Sequence, residues 1–280
     1  MIEFGKLSVV ATPIGNFSDF SPRGIETLQN ADFIACEDTR ISAKLLGKFG
    51  IKKPLLSYYK PKEQEKSGKI IELLLEGKNI ALISDAGMPC ISDPGYILVK
   101  KCYESGIVVE TVPGCNAAVS AVSVSGIDAA RFVFEGFLPV EKKERAERLN
   151  EIKGLSHAVV FYEAPHKLKQ TLSDLIEFLG GERNAAICRE LTKIYEETVR
   201  GTLSELDRYY SENEPRGEFV IVVEGKENKR EKLSLSDAVK IARELVENGE
   251  KPNAACKEAA EISGISKREI YSALLDNKSK

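Results

Sequence analysis

The chain has 280 residues, 42% of them hydrophobic and 30% charged, with a formal net charge of −3. That is the balance of a folded protein with a substantial core, long enough for two domains and a small appendage. It excludes a globally basic nucleic-acid binder, though not a local basic face, and no uncharged run approaches membrane-spanning length.

The N-terminus, Met1-Ile2-Glu3-Phe4-Gly5-Lys6, lacks the features of a signal peptide, so a cytoplasmic location is expected. The six cysteines form no C-x-x-C pair, so they read as free thiols rather than zinc or redox ligands.

In chain order, Leu7–Ala11 is a strand ending in the turn Thr12-Pro13-Ile14-Gly15-Asn16. Ser21-Pro22 caps a helix to about Asn30. Strand Phe33–Cys36 ends in Glu37-Asp38-Thr39-Arg40, and a helix Ile41–Phe49 closes at Gly50. Strand Leu55–Ser57, helix Glu63–Glu76 and strand Ile80–Ile83 follow. Ser84-Asp85-Ala86-Gly87-Met88-Pro89 then opens a long turn with two prolines, closing at Pro94-Gly95 before a helix Tyr96–Tyr103. Such length exceeds what a plain connector needs and points to a ligand loop. Strand Val108–Val112 ends in Pro113-Gly114-Cys115-Asn116, and Ala117–Val124 is a helix of small residues. Repeated β-α units predict a mostly parallel sheet, which sets all four turns on one edge, where open α/β sheets bind ligands.

After Gly126 the pattern continues: extended Phe132–Phe137, charged helix Glu141–Lys153, strand Ala158–Tyr162 and helix Leu168–Leu179. Strand Ala185–Cys188, extended Glu197–Gly201, helix Leu203–Tyr210 and strand Phe219–Val223 complete a second α/β domain. Lys229-Arg230-Glu231-Lys232 reads as a solvated linker to three short helices, Leu235–Asn248, Asn253–Ser263 and Lys267–Leu275, in a helix-turn-helix-like arrangement with a slight basic excess. The expected division is therefore 1–127, 128–226 and 233–280.

Absences narrow the chemistry. No G-x-G-x-x-G follows the first strand, every Gly-Lys lacks the Ser/Thr of a Walker-type loop, and neither H-E-x-x-H nor G-x-S-x-G occurs. With His157 and His166 the only histidines, no metal site is expected. What remains is a ligand held by backbone and short side chains in a crevice between two α/β domains.

Several runs together carry a family resemblance. They are Val10-Ala11-Thr12-Pro13-Ile14-Gly15-Asn16, Glu37-Asp38-Thr39-Arg40, Ser84-Asp85-Ala86-Gly87, Ile91-Ser92-Asp93-Pro94-Gly95, Val112-Pro113-Gly114, Glu135-Gly136-Phe137-Leu138-Pro139, Phe161-Tyr162-Glu163-Ala164-Pro165-His166 and Arg189-Glu190-Leu191-Thr192-Lys193. Over about Leu7–Gly225 the chain resembles the ribosomal RNA small subunit methyltransferase I group of the tetrapyrrole methylase superfamily. The resemblance implies a homodimeric, two-domain enzyme that uses S-adenosylmethionine to methylate the ribose 2′-oxygen of a cytidine in the decoding region of small-subunit RNA. The partner would be that RNA or the assembled small subunit. It also implies a cofactor lying against Pro13, Asp85, Ala86, Gly87, Met88, Ile91, Asn116, Ala117, Tyr162 and Leu191, with Asp93-Pro94-Gly95 bracing the following helix. Met88, Cys90 and Lys167 depart from the residues usual in that group.

A ribose hydroxyl needs help to lose its proton. Glu163, Glu190 and Lys193 are the catalytic candidates, with Asp38 also within the set, while Arg40, His166 and Arg189 are candidates for RNA contact. The basic residues of helix 141–153 are diluted by four glutamates. Two other readings stay open: methylation of a small precorrin-like tetrapyrrole on the same scaffold, and a non-enzymatic nucleic-acid binder using the C-terminal helices.

Overall fold

The computed structural model describes residues 4–226 and 233–276, so the charged run 229–232 lies outside the described residues. The chain divides into a unit ending at Lys226 and a second beginning at Glu227.

The first unit opens with β1 (Leu7–Val10), α1 (Pro22–Asn30), β2 (Phe33–Cys36), α2 (Thr39–Lys48), β3 (Leu55–Ser57), α3 (Glu63–Leu75), β4 (Ile80–Ile83), α4 (Tyr96–Glu104), β5 (Val109–Val112) and α5 (Ala117–Ser125). The five strands form a parallel sheet in the order β3-β2-β4-β1-β5. Successive strand side chains alternate between faces, and β4 shows the result. Ala81 and Ile83 meet Leu28, Leu45 and Leu46 of α1 and α2, while Ile80 and Leu82 meet Ile70, Leu74, Leu98 and Cys102 of α3 and α4. From the adjacent strands β1 and β4 the chain thus departs to opposite faces, which leaves a crevice at their carboxyl ends. There Thr12 and Gly87 exchange two backbone hydrogen bonds, of 2.9 and 3.1 Å. Helix α2 begins two residues earlier than its apolar spacing suggests, because the Asp38 carboxylate accepts the Arg40 N–H as an N-cap.

The second sheet contains β6 (Phe132–Gly136), β7 (Ala158–Glu163), β8 (Asn184–Arg189), β9 (Glu197–Thr202) and β10 (Phe219–Val223), in the order β6-β7-β10-β8-β9. Only β6 and β7 run parallel; the other pairings are antiparallel. The difference from the first sheet has a local cause: β8 and β9 are joined by a seven-residue turn, too short for a crossover helix. Helices α6 (Lys142–Ile152), α7 (Leu168–Leu179) and α8 (Leu203–Glu212) cover one face. The other face is covered by α5, whose Ala118 and Ala121 pack on Val160, Cys188, Val220 and Val222. A helix read from the sequence as the end of the first domain is therefore part of the core of the second sheet.

The second unit is a three-helix cluster of α9 (Leu235–Glu247), α10 (Pro252–Ser263) and α11 (Lys267–Asp276) around Ala238, Ala242, Cys256, Ala259 and Ile270. Gly264 ends α10 in the left-handed conformation and turns the chain into α11.

Candidate active site

The turns after β1, β4 and β5 face the ends of β7, β8 and β10 across a cavity of about 550 Å³, within the range of small-molecule sites. Its wall is largely apolar: Ile14, Met88, Ile91 and Ala117 from the first sheet's side, Phe137, Tyr162, Leu191 and Val220 from the second's. Phe134 and Phe137 hold the Tyr162 ring edge-on, at centroid separations of 4.9 and 5.7 Å. The Tyr162 hydroxyl accepts the Ala118 N–H at 3.2 Å and so ties β7 to the first turn of α5. Asn116 caps that same helix by accepting the Val119 N–H. Across the rim the two turns meet closely, since a Cβ at Gly15 would stand 2.5 Å from Lys193 Cγ.

Nine of the ten residues expected around a cofactor share this wall: Asp85, Ala86, Gly87, Met88, Ile91, Asn116, Ala117, Tyr162 and Leu191. Pro13 is buried behind it, and its neighbour Ile14 takes the exposed place. Glu163 and His166 also line the cavity. Glu163 is 5% exposed, with one carboxylate oxygen accepting the Ala164 N–H and the other the Thr171 hydroxyl, at 2.8 and 2.5 Å. Thr171 in turn accepts from Arg145, which is paired with Asp174 at 2.6 Å. Glu163 is thus locked in place from behind.

Four expected site residues are not on the wall. Glu190 and Lys193 pair with one another at 2.8 Å, and Lys193 also reaches Glu218. Glu190 and Thr192 adopt φ of +49° and +67°, a costly conformation that shapes the turn carrying Leu191. Arg189 donates to the Arg216 carbonyl and lines a neighbouring polar cleft. Arg40 projects into solvent with its side chain 86% exposed, and its guanidinium forks onto Asp38 at 3.1 and 2.7 Å. That pairing holds the Asp38 carboxyl far below the ordinary carboxylate range.

Asp93 was expected to brace α4 and instead lines the cavity. The brace is Gly95: its N–H donates to the buried Glu63 at 2.7 Å, and its φ of +145° with a Cβ that would collide with Cys90 Sγ admits only glycine. Around Asp93 the loop carries Cys90 at φ +71° and Ser92 at +66°. Burial, then the charges of Glu37 and Asp85, pushes the Asp93 carboxyl up to about 6, while Ser84 and Lys60 oppose the rise. Burial is also the first cause of the upward shifts of Asp85 and Glu37. Among the described residues no three of these groups form a metal-ligating set.

A family model described as Tetrapyrrole (Corrin/Porphyrin) Methylases matches residues 6–207. The chain belongs to the tetrapyrrole methylase family. Curated relatives named Ribosomal RNA small subunit methyltransferase I extend the match over nearly the whole chain. The relative from Halalkalibacterium halodurans is 46% identical, covering 95% of this tetrapyrrole methylase and 93% of its own length. That from Bacillus subtilis is 44% identical over 97% and 94%. The Thermotoga maritima relative is 46% identical over its full length, which covers 80% of this chain. Solved structures share the fold: diphthine synthase at TM-score 0.60 and 15% identity, covering 79% of this chain and 90% of its own, and Thermus thermophilus uroporphyrin-III C-methyltransferase with S-adenosylhomocysteine at 0.56 and 16%, covering 79% and 97%.

Proposed function

We propose that this protein methylates the ribose 2′-oxygen of a cytidine in the decoding region of small-subunit ribosomal RNA, using S-adenosylmethionine, as a cytoplasmic homodimer. The observation that carries the reading is the match, at 41–46% identity over 92–98% of their lengths for the relatives other than Thermotoga's, to enzymes named for small-subunit ribosomal RNA.

The cavity suits the cofactor's charge. Two carboxylates, Asp85 and Asp93, stand on a wall to which, among the described residues, no lysine or arginine contributes, and the cofactor is cationic at sulfur and at its amino group. Asp85, the Ala86–Met88 backbone, Ile91, Asn116, Ala117, Tyr162 and Leu191 are the residues that would hold it. When bound, S-adenosylmethionine supplies a methyl carbon made electrophilic by its sulfonium.

The protein's own contribution is binding, orientation and control of a proton. The apolar wall excludes water and holds two reactants together, an effect able to supply on the order of 7–11 kcal/mol. A carboxylate pressed on the sulfur would favour the charged ground state over the less charged transition state, so neutral backbone and side-chain groups suit that position. His166 stands at the cavity's exposed edge, and Arg40 and Arg189 stand outside it with cationic groups to meet phosphates. The Glu190–Lys193 pair sets the rim that receives the nucleotide. A base splayed out of an RNA fold matches a cavity this narrow better than a duplex does.

The decisive experiment supplies purified protein with methyl-labelled S-adenosylmethionine and small ribosomal subunits from a strain deleted for the gene. The expected outcome is one labelled 2′-O-methylcytidine in the small-subunit RNA, with light scattering of the enzyme at twice the chain mass. Transfer to a porphyrinoid and none to subunits would reverse the assignment.

A further inference from the structure

We infer that Asp93 is the catalytic base, taking the proton of the hydroxyl that receives the methyl group. The inference rests on the ribose-methylation reading and deepens it.

The titratable groups of the cavity wall differ in what they have left to offer. Glu163 has both oxygens engaged and is nearly inaccessible. Glu218 is exposed and paired with Lys193. Tyr162 is held protonated by burial, and its hydroxyl oxygen is occupied by Ala118 N–H. Cys188 is a buried thiol directed at the Ala121 carbonyl. Asp85 accepts the Asp38 N–H at 3.2 Å and belongs to the turn that cradles the cofactor. His166 has no hydrogen bond to orient its ring among the described residues and sits at the exposed edge. Asp93 is left: half-buried, on the wall, with no salt-bridge partner among the described residues.

The loop is built to put it there. Two non-glycine residues in the left-handed region flank Asp93, and each costs of order 1–3 kcal/mol. Glu63 and Tyr58 anchor the loop's far end from the buried side, through Gly95. Strain of this kind persists where the surroundings over-determine it, and here it aims one carboxylate into a cavity.

The electrostatic setting matches the task. Facing Asp93 are Glu37 and Asp38 from the turn after β2, Lys60 before α3, Asp85 after β4, Cys90 of its own loop and Tyr162 of β7. The excess of negative charge raises the proton affinity of its carboxylate to about 6, close to the optimum for a base working near neutrality. In the step, the hydroxyl proton passes to the Asp93 carboxylate as the oxygen lone pair forms the new C–O bond. The C–S bond breaks with its electron pair left on sulfur, yielding a neutral thioether, a methyl ether and a neutral carboxylic acid. Charge balances without a further co-reactant.

The test compares wild type with Asp93→Asn, which preserves shape, and Asp85→Asn. Asp93→Asn is expected to lower kcat about 10²–10⁴-fold, with the dissociation constant for S-adenosylmethionine changed less than threefold by calorimetry. Asp85→Asn is expected to weaken that binding. The low-pH limb of kcat/KM, set near pH 6 in wild type, should vanish in Asp93→Asn and move to lower pH in Glu37→Gln. Independently of activity, infrared titration of the cofactor-free protein should show a protonated-carboxyl band with a midpoint near pH 6 that is absent from Asp93→Asn. If the folded variant labels subunits at the wild-type rate, or loses cofactor binding as steeply as turnover, Asp93 is not the base. A wild type that binds S-adenosylmethionine yet leaves subunit RNA unlabelled overturns the ribose reading, and this inference with it. Labelled RNA with an unaffected Asp93→Asn overturns this inference alone.

Discussion

Asp93 ties stability to pH as well as chemistry to position. Its carboxyl is raised to about 6 in the fold against an unfolded value near 3.9, so the folded state holds the proton more tightly. Its contribution to stability is therefore greatest below about pH 4, falls as pH rises through 6 and stays lost above. Asp93→Asn, which carries no charge, should melt above wild type at pH 8, and the gap should close below pH 4. A scan of melting temperature between pH 4 and 8 checks this, and a constant gap would rule out the charge as the cause. Glu163 shows the limit of reading residues alone. Its place after a strand marked it as a candidate, but the Thr171 hydroxyl and the Arg145–Asp174 pair that hold it come from α6 and α7, up to 29 residues apart in sequence.

At the scale of elements, α5 has the largest role for its size. Its small residues, Ala117, Ala118 and Ala121, let the helix lie close on β7, β8 and β10, and its first turn forms part of the cavity wall. Ala121 has no exposed surface. Enlarging it by Ala121→Leu should cost about 1–3 kcal/mol by overpacking, readable in urea denaturation. Because Ala117 and Asn116 move with the helix, weaker cofactor binding should accompany the loss. An unchanged dissociation constant would separate the helix from the site. The helix was legible from its apolar small-residue run between Asn116 and Gly126; its partner was not, because small residues suit close packing without naming what they pack on. The β-α alternation similarly disclosed the first sheet's carboxyl edge. In the second half it could not disclose the strand directions, which follow from a short β8–β9 turn and from β10 pairing between β7 and β8.

At the scale of the molecule, the cavity and the residues around it belong to the unit ending at Lys226. The Thermotoga relative aligns along its whole length with 80% of this chain, so roughly a fifth of the chain, about the size of the C-terminal unit, has no counterpart there. A protein ending at Lys226 should fold and bind S-adenosylmethionine within about twofold of the full chain, by calorimetry. Loss of binding would assign the C-terminal helices to the cofactor site.

The order of turns along the chain, their proline- and aspartate-rich composition and the runs they form were enough to identify the family, the edge of the sheet and nine of the ten cofactor-wall residues placed here. These are local properties: a turn's residues settle its backbone, and strand-helix alternation settles which end it occupies. Which carboxylate is free was a tertiary matter. Arg40 satisfies Asp38, Thr171 satisfies Glu163 and Lys193 satisfies Glu190, whereas Asp93 faces only like charges and one lysine across the crevice. The proton affinity of a carboxylate depends on burial and on charges brought near it by folding, and neither is written in its neighbours along the chain.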